Sequence, residues 1–183
     1  EKNFLTREPG GTEVSEKIRN LLVRKSKIDL LPETELLLIY AARHEHVKKK
    51  IIPNLKKKIV ICDRYFHSTY CYQILANKVS EKKLKFLHKS FAYNLFPDLT
   101  IFLNLEPKIG IQRSLKKNKI ENRFELKNIR FYTKIKNGFI KLSKNNPHYI
   151  GIDANATKIK IHHKIVDFLN RKKITKNKIP YSL

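Results

Sequence analysis

The sequence contains no methionine and no tryptophan, and it has only two cysteines and five glycines. So few cysteines exclude the small secreted domains whose stability depends on several disulfides. The longest uninterrupted apolar stretch, residues 36–42, is far shorter than the about 20 residues that a membrane-spanning helix requires. No apolar signal region stands at the N-terminus. We therefore expect a soluble, cytoplasmic protein in which Cys62 and Cys71 stay unpaired.

Acidic residues are scarce, because 16 Asp and Glu stand against 40 Lys and Arg, which gives a formal net charge of +24. Such a surface attracts anions, whether nucleic acid, acidic membrane or nucleotide. The lysines are scattered among Asn and Ile, and no glycine–aromatic RNA-binding motif, paired-cysteine finger or basic zipper accompanies them. A biased composition explains the charge better than nucleic-acid binding does, although nucleic-acid binding stays open as an alternative.

The remaining composition favours one domain with an ordinary core, since 41% of the residues are hydrophobic and 10% are aromatic. We place this domain at residues 1–170. Residues 171–183 are polar and basic without an apolar period, which predicts a frayed tail. A bulky residue such as Glu1 normally leaves a preceding initiator methionine in place, so we expect the chain to begin inside a longer natural product.

Short apolar runs rich in branched and aromatic residues predict buried strands at 3–6, 59–62, 99–105 and 149–152. Apolar residues at helical spacing predict amphipathic helices at 14–22, 37–47, 81–91, 108–117, 126–142 and 157–169. Strands that alternate with helices, without hairpin turns, are typical of a parallel sheet. The predicted fold class is therefore α/β, with a doubly wound parallel sheet and helices on both of its faces.

The residues that follow the apolar runs are the first candidates for chemistry, since ligands of open parallel sheets bind outside the carboxyl ends of the strands. Asp63 and Arg64 directly follow the run at 59–62. Such a carboxylate can face a hydrated magnesium ion, and the guanidinium matches the geometry of a phosphate. A structural salt bridge at a strand end would use the same two residues, so this pair alone leaves both interpretations open.

Four strings give the pair a context: TREPGGT at 6–12, YAAR at 40–43, DRYFHSTYCYQ at 63–73 and FPDLT at 96–100. In this order and spacing, from about residue 3 to 169, the chain resembles the thymidylate kinase family of bacterial type. The resemblance implies a nucleoside-monophosphate-kinase fold and a homodimer built from helices such as 36–47. It also implies ATP-dependent phosphorylation of dTMP to dTDP, in the biosynthesis of dTTP.

The resemblance also implies residue roles. Arg43 and Arg64 would flank the 5′-phosphate of dTMP, while Pro9 would wall the base pocket and three hydroxyls would face the base and sugar, those of Ser68, Thr69 and Tyr72. Asp63 would hold Mg²⁺, directly or through water, with ATP as the phosphoryl donor. Because phosphoryl transfer needs mainly positioning and positive charge, the catalytic residues would be arginines: Arg64, Arg113 and Arg123. The last two lie in a segment similar to the family's mobile lid, 113–125, where Lys117 is either functional or merely solvated.

The sequence also departs from the family. It contains no G-x-x-x-x-G-K-[ST] phosphate loop, and it opens where the family's second strand begins. We expect a central strand, the phosphate loop and a first helix to be missing, and the chain alone to be destabilised and nearly inactive. Ile39 replaces the phenylalanine that usually stacks on thymine, and Asn122 replaces a usual aspartate. Two alternatives therefore remain: a kinase for another pyrimidine nucleotide, or an inactive basic protein that binds nucleic acid.

Overall fold

Every predicted strand is present in a computed structural model that describes residues 2–24, 29–117, 123–124, 127–144 and 146–182, with Lys117 described by its backbone only. The strands are β1 (Asn3–Arg7), β2 (Ile59–Asp63), β3 (Thr100–Asn104) and β4 (Tyr149–Asp153). Each bound lies within one residue of the predicted one. The prediction of β-strands from short branched and aromatic runs is thus confirmed.

The predicted helices are present as well. The helices are α1 (Glu13–Val23), α2 (Pro32–His46), α3 (Ile52–Leu55), α4 (Phe66–Thr69), α5 (Glu81–Phe91), α6 (Pro107–Lys117), α7 (Ile129–Ser143) and α8 (Lys158–Arg171). A π-helical segment, Val47–Ile51, joins α2 to α3, and a second, Tyr70–Ala76, extends α4. Side-chain caps set three of the starts, because Thr12 accepts from the Ser15 N–H, Asn128 from the Phe131 N–H and Thr157 from the Lys160 N–H.

The strands pair as predicted, in parallel, but they form two separate two-stranded sheets. In one sheet β1 lies beside β2, and in the other β3 lies beside β4. Over the described parts of the chain, no hydrogen-bonded ladder joins one sheet to the other.

Helix α2 is buried on most of its sides, which explains why its sequence shows a less regular apolar stripe than the other helices do. Its Leu36 and Tyr40 belong to one core cluster with residues that follow β2, and its Ile39 belongs to a second cluster with Leu22 and Val23 of α1. Alongside these apolar residues α2 buries polar and charged ones: Glu35, Arg43 and His46. This central helix therefore carries groups that the core alone does not require.

The C-terminal segment does not fray in the way its composition predicted. The Asn170 side chain of α8 donates to the Ile179 carbonyl at 3.0 Å and accepts from the Ile179 N–H at 2.8 Å. The Tyr181 hydroxyl donates to the Asp167 carboxylate. The tail therefore folds back on α8. Separately, none of the helices in the described ranges is long and apolar enough to cross a membrane.

His88 is fully buried at the contact between α5 and α2, where it uses both ring nitrogens. Its Nε2 lies 2.9 Å from the Leu95 carbonyl, which only accepts, so Nε2 is the donor. Its Nδ1 is then an acceptor, 3.3 Å from the Tyr40 hydroxyl. Burial, with the nearby Arg43 charge adding to it, lowers the pKa of His88 to about 4. The fold thus holds this ring in its neutral form.

We expect His88 to make the protein acid-sensitive. Because the folded chain binds this proton more weakly than the unfolded chain, with an ordinary pKa of about 6.5, the free energy of unfolding falls as the pH falls below that value. The loss approaches about 3 kcal/mol near pH 4, the pKa in the fold. Urea titrations at several pH values should show a flatter pH dependence for His88→Gln than for the unsubstituted chain. The exposed His148→Gln is the control, and equal slopes in all three proteins would contradict this role.

Candidate active site

The candidate site lies where β1 and β2 end, because the two strands finish in register. Arg7 lies opposite Asp63 in the backbone register of the two strands. The Glu8 N–H continues the ladder by donating to the Asp63 carbonyl at 2.9 Å. The strings TREPGGT and DRYFHSTYCYQ therefore leave the same edge of this sheet, as the parallel topology requires.

The turn after β1 packs directly on α2 and needs glycine. Gly10 and Gly11 have φ values of 144° and 87°, in the backbone region that residues other than glycine rarely adopt. A Cβ on Gly11 would stand 2.4 Å from the His46 ring, so the backbone could not approach so closely with any other residue. Glu16 of α1 holds the turn by accepting from the Gly11 N–H at 2.9 Å. The turn thereby places Glu8 and Pro9 against α2.

Arg43 is the central charged residue of the site, and its side chain is only 2% exposed. Its Nε donates to Glu8 Oε2 at 2.6 Å, and its Nη2 donates to Thr69 Oγ1 at 2.8 Å. The guanidinium carbon lies 4.8 Å from the ring centroids of both Tyr40 and Tyr65. Burial works against the charge, but the Glu8 carboxylate outweighs it and raises the pKa of Arg43. Arg43 is thus a fixed cation.

Two buried donors beside this ion pair lack a hydrogen-bond acceptor. Among the described residues, neither Nη1 of Arg43 nor the hydroxyl of Tyr65 has a hydrogen-bond partner. Unsatisfied donors at such depth are rare in folded proteins and cost about 1–3 kcal/mol each. A ligand oxygen in this place would satisfy them.

His46 fixes the Glu8 carboxylate from the side opposite Arg43. Its Nδ1 lies 3.0 Å from Glu8 Oε1, and its Nε2 lies 2.6 Å from Thr6 Oγ1. Because a carboxylate only accepts, Nδ1 donates to Glu8, and in the neutral ring Nε2 accepts from the Thr6 hydroxyl. Glu8 and His46 are both buried, so the carboxylate is shared by two donors from one helix.

Arg64 has a backbone φ of 64°, in the left-handed region that is uncommon for a residue with a long side chain. Such a conformation costs of the order of 1–3 kcal/mol and persists where the surroundings enforce it, often at a functional site. Its guanidinium carbon lies 5.3 Å from the Tyr72 ring centroid, and the Tyr72 hydroxyl raises the pKa of Arg64. The residue as a whole is exposed, while its guanidinium packs against Tyr72, and the burial of that group opposes the rise of its pKa.

Asp63 fits the predicted magnesium role, within the limits of a single carboxylate. The residue is exposed, and its negative charge contributes to the raised pKa of the neighbouring Arg64. Across those residues, no group of three or more His, Cys, Asp and Glu side chains is arranged to hold a metal ion. Magnesium is often bound by one or two carboxylates, with phosphate oxygens and water completing its shell. Asp63 suits such a shared site.

The structure brings some of the predicted site residues together. Pro9 follows Glu8, which pairs with Arg43, and Arg43 contacts Thr69. Arg64 and Tyr72 form a second pair, and Ser68 is half-buried in α4 beside Thr69.

The predicted lid residues lie elsewhere. Arg113 is exposed on α6, and Arg123 is paired with Glu35 on α2. The rest of the predicted lid at 118–122 and 125, together with the Lys117 side chain, lies outside the described residues. The described residues of the predicted lid are thus 113–117 on α6 and 123–124, of which Phe124 contacts the Tyr72 ring.

Sequence reasoning missed the residues that hold Arg43 in place, chiefly Glu8 and His46. One signal was available: His46 follows Arg43 by three positions on a helix, so the two side chains lie on the same face. Glu8 was a second signal, since a carboxylate at the end of an apolar strand needs a partner when that end is buried. Neither signal identifies the partner without the tertiary structure.

Comparison with known proteins agrees with these observations. The sequence model of the family "Thymidylate kinase" matches residues 1–165. A thymidylate kinase of Staphylococcus epidermidis is 41% identical over 158 residues, which cover 85% of this chain and 77% of that protein. One from Rickettsia bellii is 46% identical over 148 residues, covering 80% and 70%, and one from Orientia tsutsugamushi is 40% identical over 178 residues, covering 93% and 80%. The chain belongs to the thymidylate kinase family.

Proposed function

We propose that this protein phosphorylates dTMP to dTDP with ATP as the phosphoryl donor, a step in nucleotide biosynthesis. The observation that carries the proposal is the buried Arg43 guanidinium, which is held by Glu8 and Thr69 and still has one nitrogen, Nη1, without an acceptor. A nucleotide that offers an oxygen there completes the hydrogen bonding of the site. The names of the related proteins support the same reaction.

The two arginines differ in whether a buried carboxylate neutralises their charge. We therefore assign them to different parts of the nucleotide. Glu8 neutralises the buried Arg43, so its Nη1 suits an uncharged or shared oxygen at the inner end of the nucleotide. Arg64 is exposed and suits the 5′-phosphate, which a guanidinium binds through two parallel hydrogen bonds. This assignment narrows the expectation that both arginines flank the phosphate. Pro9, Ser68, Thr69 and Tyr72 surround the remainder of dTMP.

Transfer of the phosphoryl group requires positioning and positive charge, without a covalent intermediate. The cysteines agree with this, because burial raises the pKa of the Cys62 thiol and raises that of Cys71 to about 12, so neither forms a thiolate nucleophile. Asp63 would hold Mg²⁺, which neutralises charge on the phosphates when it is bound. Arg64 and the exposed Arg113 supply the further cations that stabilise the transferred charge.

Substitution of Arg43 by lysine tests the site most directly. Lysine keeps the positive charge but cannot donate to Glu8, to Thr69 and to a nucleotide from one rigid plane. We expect about a 10- to 100-fold rise in the Kd of dTMP, the equivalent of one or two lost hydrogen bonds at a charged group. Calorimetric titration of the folded chain measures it, with the exposed Arg130→Lys as the matched control. Equal dTMP affinity in both variants would contradict the role of Arg43.

A competition experiment separates the proposed function from its alternatives. We expect dTMP to bind, a short DNA duplex not to displace it, and dUMP to bind at most about tenfold more weakly, since one methyl group in an apolar pocket is worth about 1–3 kcal/mol. We expect the preference for dTMP over dUMP at the low end of this range. Ile39 replaces the phenylalanine that usually stacks on thymine, and it packs in the core with Leu22 and Val23. Duplex binding without a response to dTMP would mean that the charge of the chain determines its partner.

We further propose that the protein is a homodimer that pairs through α2. The support is the exposure of two leucines although much of the helix is buried. Leu31, directly before α2, is 72% exposed, and Leu37, within α2, is 57% exposed. Such apolar residues are covered in an isologous contact. Sedimentation of the chain should give twice the monomer mass, and Leu37→Lys should return it to the monomer. A monomeric unsubstituted chain would contradict the proposal.

A further inference from the structure

Glu35 is a buried carboxylate that belongs neither to the Arg43 ion pair nor to the strands. It lies in the first turn of α2, and its side chain is 3% exposed. Its Oε1 accepts from Gln73 Nε2 at 2.7 Å and from Asn77 Nδ2 at 3.3 Å, while its Oε2 accepts from Arg123 Nη1 at 2.7 Å. A carboxylate at this depth is tolerated only when it is fully paired. Glu35 thus ties three segments of the chain together.

Arg123 is committed to this place by more than its ion pair. The same Nη1 also donates to the Leu22 carbonyl at 2.9 Å, and the Arg123 N–H donates to the Val23 carbonyl at 3.1 Å. These carbonyls belong to the C-terminal turn of α1, where a cation is favoured by the helix dipole. The Arg123 side chain is only 10% exposed. Its guanidinium is therefore anchored between α1 and α2.

The two side chains that donate to Glu35 at 2.7 Å, those of Gln73 and Arg123, both connect it to Tyr72. Gln73 is the next residue along the π-helical segment that carries Tyr72. Phe124 follows Arg123, and its ring lies 5.7 Å from the Tyr72 ring in an edge-on contact. The Tyr72 ring in turn lies beneath the Arg64 guanidinium. Glu35 thereby holds Gln73 and Arg123, the neighbours in sequence of Tyr72 and of the Phe124 that packs on it. Arg64, the arginine proposed to bind the phosphate, rests against this same Tyr72.

We propose that Glu35 is a positioning residue of the nucleotide site, which acts through Gln73 and Arg123 to fix Tyr72 and, with it, Arg64. This inference rests on the proposed function, since it concerns how the dTMP site is built. It assigns Arg123 a different task from the one that the family resemblance implies. Arg123 supports the acceptor site from behind and does not act on the transferred phosphoryl group.

The test uses Glu35→Gln with Glu33→Gln as its matched control. Glu33 lies two residues away on α2, but its ion pair with Lys83 is exposed, so its loss removes the same charge from the same helix without touching the site. The Kd of dTMP is measured by calorimetry on each folded variant, well below its melting temperature. We expect about a tenfold rise for Glu35→Gln and no change for Glu33→Gln. A merely structural role would lower the melting temperature and leave the Kd of the folded protein unchanged.

Two further variants keep the inference testable if Glu35→Gln fails to fold. Phe124→Leu removes the ring contact with Tyr72 but leaves the ion pair intact, and it should weaken dTMP binding in the same way. Arg123→Gln should raise the Kd no further than Glu35→Gln does, and the double variant should show no additional loss, because both changes break one link.

The outcomes separate this inference from the proposed function. If the unsubstituted chain does not bind dTMP, the proposed function fails, whatever the variants do. If it binds dTMP and Glu35→Gln and Phe124→Leu bind it equally well, the positioning role is overturned while the proposed function stands. A second overturning result would be additive losses for Glu35→Gln and Arg123→Gln, since additivity means that Arg123 contacts the nucleotides independently.

Discussion

The ion pair between the Glu8 carboxylate and the Arg43 guanidinium joins the turn after β1 to the central helix, and much of the site is arranged around it. Both side chains are buried, so neither charge is stable there without the other. Removing one partner of a buried pair typically costs about 3–5 kcal/mol, a large part of the stability of a small domain. The pair therefore constrains the sheet, the turn and α2 to one relative arrangement.

Several neighbouring features serve this constraint. His46 holds the second oxygen of Glu8, and Gly11 lets the backbone approach the His46 ring without a side chain in between. Ser15 of α1 donates to the Ala42 carbonyl of α2 at 2.8 Å, which fixes the two helices beside the turn. The surroundings thus determine the orientation of the Arg43 plane, and the free donor on Nη1 is a consequence of where the other two nitrogens are used. Such preorganisation lowers the entropic cost of ordering the site when a ligand binds.

Helix α2 carries a second buried charge, Glu35, some two turns before Arg43. The two ion pairs have the same design, since in each a buried carboxylate accepts from an arginine in a different part of the chain and from a second side-chain donor, His46 for Glu8 and Gln73 for Glu35. Together they place α2 between the strings at 6–12 and 63–73 and residues 123–124 of the predicted lid. A helix held at both ends by charge is less free to shift than one held by apolar contacts alone, because charge pairing depends on exact partners and apolar packing tolerates exchange.

The sequence by itself determined the parallel α/β pattern, the strand ends and the motif residues, because these depend on local periodicity and on short strings. Through family resemblance it predicted that Pro9, Arg43, Arg64, Ser68, Thr69 and Tyr72 lie around a nucleotide. Only the tertiary structure decided which groups hold them: Glu8 and His46 for Arg43, and Glu35 with Arg123 behind Tyr72. It also decided that the strands form two separate sheets and that the C-terminal tail lies on α8. Long-range partners escape sequence reasoning because a buried charge shows that a partner is required, while only the packing of distant segments supplies it.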